Sequence, residues 1–266
     1  MKIEHTLLMA LATVAGLASQ APAQTLVDLG SAATYSVLAG ASVVNTGPSL
    51  LTGDLGVSPG ATVTGFAPGG AGGQGDVTGT INIDNGAAAQ AESDLATAYA
   101  YAKGLTPTED LTGQDLGGLT LTPGVYSYSA AAQLTGTLTL NGENEANPVF
   151  VFQAGSTLNA ADGSDVLLIN GAQAGDVFWQ VGSSATLLGD SSTFEGTILA
   201  NTSITVDSGA TVVGGLLAET GTVTLTDDVQ TAIPELAGTS LWLAVFAGLL
   251  LCVGKFRRQP DARTGA

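Results

Sequence analysis

The chain has 266 residues, 45% of them hydrophobic and only 11% charged, with 23 acidic against 6 basic side chains. Its one histidine, His5, and its one cysteine, Cys252, both lie near the ends. The long stretch between them therefore cannot hold a Ser-His-Asp or Cys-His device, a zinc site of the usual ligands, or a disulfide.

Met1–Ala23 reads as a secretory signal peptide. Lys2 precedes the apolar run Leu7–Leu17, and Ala21-Pro22-Ala23 is a small-x-small cleavage site that leaves Gln24 first. Residues 24–232 form the domain, long enough to bury a core. Lys103 is its only basic residue, so the exported part is strongly acidic. Nucleic acid and anionic lipid are poor partners for such a surface. The charge instead keeps an extended β surface soluble and discourages edge pairing.

Leu26–Val44 reads as short strands, with Tyr35–Ala39 the clearest, and Asn45-Thr46-Gly47-Pro48 as a turn. Leu51–Gly60 is a coil with glycine at its corners, followed by Thr62, and Ala67–Gly75 is a Gly/Pro loop. Gly72-Gly73-Gln74-Gly75-Asp76 differs from the calcium nonapeptide repeat by one position in its Asp and occurs once, so neither metal nor cofactor is expected.

Asp84–Lys103 breaks the β pattern. Ala88, Ala91, Leu95, Tyr99 and Ala102 fall at helical spacing. Asp84 or Asn85 is placed to cap the start, and Gly104 and Pro107 end the segment. Its stripe of small residues suits close packing against a solenoid. Strands resume at Gly118–Tyr128, Leu134–Asn141, Val149–Gln153, Val166–Asn170 and Val177–Val181. Asp162-Gly163-Ser164-Asp165 reads as a turn. Glu109-Asp110 with Glu143 and Glu145 offers carboxylates for a polysaccharide-acting β-helix enzyme. A domain with one lysine, no arginine and few aromatics argues against that alternative.

From Gly182 to Gln230 one pattern returns three times: GSSATLLGDSSTFEGTILA, NTSITVDSGATVVGGLLA and ETGTVTLTDDVQ. Thr186, Thr205 and Thr224 share one column, and Thr193 and Thr211 a second. A period of ~18 residues marks stacked coils too small to bury a core singly. Ile204 and Val206 alternate with Ser203, Thr205 and Asp207, which puts aliphatics on one side and hydroxyls on the other. The expected fold is a mainly β solenoid (β-helix) studded with threonine.

Leu236–Gly254 is uncharged and apolar, about long enough to cross a bilayer, and is followed by Lys255, Arg257 and Arg258. With Ile233-Pro234-Glu235 ahead of it, the 233–266 segment resembles the PEP-type sorting signals processed by exosortases in Gram-negative bacteria. Leu236 stands where a second proline is usual, and a plain membrane anchor is the other reading.

LGSAATYSVLAGASVVNTGPSLLTGDLGVSPG (Leu29–Gly60), LTPGVYSYSAAAQLTGTLTLNG (Leu121–Gly142), PVFVFQAGSTL (Pro148–Leu158) and VFWQVGSSATL (Val177–Leu187) resemble the DUF3494 family of ice-binding proteins. The resemblance runs from Asp28 to Thr231. It implies a discontinuous right-handed β-solenoid with one long helix packed alongside, the N-terminal coil stacked on the C-terminal ones, and a flat face that adsorbs to ice. No catalysis is implied. The implied partner is an ice crystal surface, and the expected protein is a secreted or surface-tethered monomer. An adhesin or matrix protein without ice activity is the alternative.

Which face meets ice stays open. Family members with strong activity show T-A/G-x-T/N steps. Ser208-Gly209-Ala210-Thr211 is the nearest match, while Asp190-Ser191-Ser192-Thr193 and Thr226-Asp227-Asp228-Val229 depart from it. The candidates are thus Thr193, Ser208 and Thr211, or Thr186, Thr205 and Thr224, with Thr226 and Thr62 beside them. Asp190, Asp227 and Asp228 would interrupt a flat hydroxyl surface, so modest activity is expected.

Overall fold

In the computed structural model the described residues are 26–66, 75–189, 192–226 and 229–231. The segments read from sequence as a signal peptide and as a C-terminal sorting or anchor segment lie outside them, as do residues 67–74, Asp190, Ser191, Asp227 and Asp228. Among the described residues no helix is long and apolar enough to cross a membrane.

Among the described residues the chain winds through three parallel sheets of nine, seven and eight strands, one coil laying a strand in each. Successive coils pair in register: Trp179 with Ile198, then Ile198 with Leu216 in the first sheet. Alternation decides what fills the inside. Ile198, Ile204 and Val212 from one coil, and Leu216 and Val223 from the next, are fully buried in one continuous core. Each aliphatic so buried stabilises the fold by roughly 1.5–3 kcal/mol. An aromatic stack fills the core of the coils further down: Tyr126–Phe152, Phe152–Trp179 and Trp179–Phe194, with ring centroids 5.4, 4.0 and 4.9 Å apart. The Trp179 indole N–H donates to the Glu195 carbonyl at 3.1 Å, so its polar edge is satisfied inside the core.

The coils are not stacked in chain order. Tyr35–Ala39 pairs with Leu216–Ala218, Ser42–Asn45 with Thr222–Leu225, and Leu50–Thr52 with Val229–Thr231. The first coil therefore sits on the last, and a seam joins segments from opposite ends of the domain. The discontinuous solenoid is thereby established.

Among the described residues one α-helix, Gly86–Gly104, links the two parts. Asn85, rather than Asp84, caps it, accepting from the Ala88 N–H at 2.9 Å. Its buried face is Ala88, Ala91, Leu95, Ala98, Tyr99 and Ala102. That face packs with Leu38, Val125, Val151, Phe178, Leu199 and Leu217, which point outward from the first sheet. The small residues let the helix lie close, and both faces of that sheet are covered. Gln153 Nε2 holds the far end, donating to the carbonyls of Ala102 at 2.8 Å and Leu105 at 2.9 Å.

Two sequence expectations are corrected. Within Leu26–Val44, Gly30–Thr34 is a 3-10 turn, not a strand. Asp94 on the helix accepts from the Ser31 N–H at 2.8 Å and the Ser31 hydroxyl at 2.6 Å, a long-range tie invisible to local pattern. Leu158–Ala160 and Glu109–Asp110 are strands that the alternation did not mark. Both are too short to show a period.

Candidate functional face

With the first sheet under the helix, two outward faces remain. The seven-stranded sheet runs, in spatial order, Ala132–Leu134, Leu158–Ala160, Ala185–Leu187, Ile204–Val206, Thr222–Leu225, Ser42–Asn45 and Thr62–Thr64. None of these strands contains a charged residue. Inter-coil register draws one outward line through Gln133, Asn159, Thr186, Thr205, Thr224, Val44 and Thr64. A second line runs through Thr222, Ser42 and Thr62. Behind them Ala132, Leu158, Ala185, Ile204, Val223 and Val43 are buried, so the surface rests on packed core.

The two lines differ in how their hydroxyls are used. Ser42 Oγ and Thr222 Oγ1 share a hydrogen bond of 2.8 Å, and the Thr222 N–H donates to Ser203 Oγ at 3.3 Å. Thr186, Thr205 and Thr224 are half-buried and make no side-chain hydrogen bond among the described residues. Their hydroxyls can satisfy themselves only with water.

The eight-stranded sheet carries the other pair. Thr193 lies beside Thr211, but the line continues to Asp165 and Thr137 on one side and to Val229, Leu50 and Asp76 on the other. The Thr193 N–H donates to Asp165 Oδ1 at 3.0 Å. Burial raises the Glu195 carboxyl above its ordinary pKa on the same strand as Thr193. Leu167, 49% exposed, and Leu50, 41% exposed, stand out as isolated large apolar groups. This face mixes carboxylates, leucines and hydroxyls.

Thr186, Thr205, Thr224 and Thr62 thus come together on one sheet, while Thr193 and Thr211 share another. Ser208 is exposed in the turn between Ile204–Val206 and Thr211–Val213. Thr226 follows the strand Thr222–Leu225 and accepts a hydrogen bond from the Thr46 hydroxyl at 3.4 Å. Sequence reasoning missed Gln133, Asn159, Ser42, Val44 and Thr64 as members of the uncharged face. Their coils are offset by insertions of varying length, so no fixed period links them to Thr205.

Elsewhere, ionisable groups gather under the helix. Burial, with the nearby Glu219 charge adding to it, pushes the Glu92 carboxyl up to about 8. Glu92 Oε1 is buried without a hydrogen-bond partner among the described residues. Glu219 is also raised by burial, partly offset by a hydrogen bond from Asn201 and by Lys103. Of the carboxylates that the sequence offers as an enzymatic set, Glu109 and Asp110 lie in an edge strand of the first sheet, and Glu143 sits in a left-handed turn at φ 51°. Among the described residues no three His, Cys, Asp or Glu side chains converge as metal ligands would.

The ice-binding-like family model matches residues 37–231. An ice-binding protein of Nostoc sp. (strain HG1) is 48% identical over 223 residues, covering 84% of this chain and 80% of the relative. One from Colwellia sp. is 36% identical, covering 79% and 85% respectively. Among solved structures, the ice-binding protein of the Antarctic ascomycete Antarctomyces psychrotrophicus superposes with a TM-score of 0.73 at 41% identity. That match spans 79% of this chain and 99% of that one. These relatives are named for binding ice and none for catalysis.

Proposed function

The chain belongs to the ice-binding-like family, and on that premise we propose that it adsorbs to ice through the seven-stranded sheet and so arrests ice growth or recrystallisation. The observation that carries this choice of face is the uncharged line Thr186–Thr205–Thr224, whose hydroxyls lack protein partners among the described residues. The competing line through Thr193 and Thr211 is flanked by Asp165 and Leu50.

Threonine on a strand presents a methyl and a hydroxyl with χ1 held stiff. Coils stand ~4.8 Å apart and alternate residues along a strand ~6.6 Å, a grid on the scale of spacings in ice. Methyls cage water while hydroxyls anchor it, and the ordered layer joins a growing crystal plane. Each contact is weak, but a preorganised array loses little entropy on binding, so many contacts sum. Bound molecules curve the ice front between them, and growth stops without any bond being made or broken.

The test is thermal hysteresis and ice shaping by residues 24–232, alongside Thr205→Tyr and Thr211→Tyr variants. Loss of activity in Thr205→Tyr alone is expected. Loss in Thr211→Tyr alone moves the site to the eight-stranded sheet, and loss in neither removes both.

The terminal segments favour delivery to the cell exterior and a tether there, through Leu236–Gly254 and its basic flank. A tethered ice binder holds a cell against ice. Fractionation of cells expressing the full chain, with and without residues 233–266, distinguishes a retained anchor from a released protein.

A further inference from the structure

The seven-stranded face is assembled from two pieces of chain. Five of its strands come from after the helix, and two, Ser42–Asn45 and Thr62–Thr64, from before it. The seam between Thr222–Leu225 and Ser42–Asn45 runs across the middle of the hydroxyl array. Backbone pairing there is unbroken over four residues, from Ser42 opposite Thr222 to Asn45 opposite Leu225. One outward position on the N-terminal side of this seam is Val44, opposite Thr224, which has no hydroxyl to give. The other is Ser42, whose hydroxyl is bonded to that of Thr222 at 2.8 Å across 180 residues of sequence. Thr222 in turn is tied by its backbone N–H to Ser203 Oγ on the next coil. Beyond the seam, Thr62 and Thr64 are exposed and again make no side-chain hydrogen bond among the described residues.

We propose that Ser42 is a positioning residue for ice adsorption: its bond to Thr222 carries the outward array across the seam, so that strands from both ends of the domain meet ice as one plane. The proposal rests on the seven-stranded sheet being the ice-facing one. The physical reason is geometric. A surface that binds by summing weak, regularly spaced contacts loses the whole contribution of any strand that tilts out of plane. Ser42 and Thr222 fix each other's rotamers at the junction in this sheet where the paired strands do not come from consecutive coils of the chain. Side-chain pairs on facing strands contribute only a modest stabilisation. The role of Ser42 is therefore visible in ice activity rather than in folding.

The full chain carrying Ser42→Ala, Ser42→Thr, Thr64→Tyr or Thr205→Tyr is compared by thermal hysteresis and by Tm. Hysteresis is read near the freezing point, where modest losses of Tm leave every variant folded. Thr205→Tyr should abolish activity and Thr64→Tyr reduce it severalfold. Ser42→Ala should lose at least half, and Ser42→Thr, which retains the hydroxyl, should restore most of it. If Thr205→Tyr is inactive while Ser42→Ala matches the parent, the positioning role is overturned and the choice of face survives. If Thr205→Tyr remains active, the choice of face fails first and the proposal falls with it.

Discussion

Replacing Glu92 by glutamine should stabilise the protein at neutral and alkaline pH. Glu92 sits on the helix, with its carboxyl pushed up to about 8 from an ordinary 4.5 by burial and by Glu219. Of the other ionisable groups there, Glu219 repels the charge, while Lys103, which lies 5.8 Å over the Tyr99 ring, acts mainly by partly neutralising Glu219. At ~1.4 kcal/mol per pH unit the difference amounts to roughly 5 kcal/mol. The group keeps some contact with solvent, which screens it, and about 2 kcal/mol is the expected remainder. The folded state holds the proton between pH 4.5 and about 8 while the unfolded chain has released it. Stability from this group is therefore full below about 4.5, falls as pH rises to about 8, and is level above. The amide introduced by Glu92→Gln cannot ionise, so the variant escapes that loss. Thermal melts at about pH 5 and pH 8.5 should show the parent losing about 4–8 °C of Tm relative to Glu92→Gln, given ~2–4 °C per kcal/mol for a domain of this size. Parallel Tm-against-pH curves for the two proteins would refute a costly buried carboxylate beneath the helix.

Two other substitutions probe the framework. Trp179→Ala removes the centre of the aromatic stack and leaves the Glu195 carbonyl without its donor, so a loss of about 3–5 kcal/mol is expected in denaturant titrations. Gly189→Ala drives a Cβ into the Ser208 carbonyl oxygen on the next coil. The coils must part there, and a sharp drop in Tm or in soluble yield is the expected result, whereas an unchanged melt would contradict such close stacking. The tyrosine pair at Thr205 and Thr211 complements these: both should leave Tm nearly unchanged, and bulk at Thr205 alone should alter ice shaping.

Much of the architecture was legible without coordinates. Alternation around Ile204 and Val223 assigned inside and outside, because neighbouring side chains on a strand point opposite ways whatever the strand pairs with. The helix was legible from its alanine spacing, and its close approach from the same small residues. The family resemblance supplied the discontinuous order of the coils, which local pattern could not. Yet the sequence left two threonine columns in competition, the family motif favouring Thr211 and the regularity of the repeat favouring Thr205. Period determines which side chains face outward; it does not determine which outward side chains become neighbours.

That second question was decided by stacking. Asp165 and Leu50 lie far from Thr193 and Thr211 in the chain, but hydrogen bonding between coils sets all of them in one line. The same pairing carries Ser42 to Thr222, and the helix packed on the first sheet brings Glu92 near Glu219. The sequence determined the local alternation, the helix and the family. The tertiary structure alone decided which stack of paired strands is free of charge, because charge is felt through space and the coils bring together residues that the chain keeps apart.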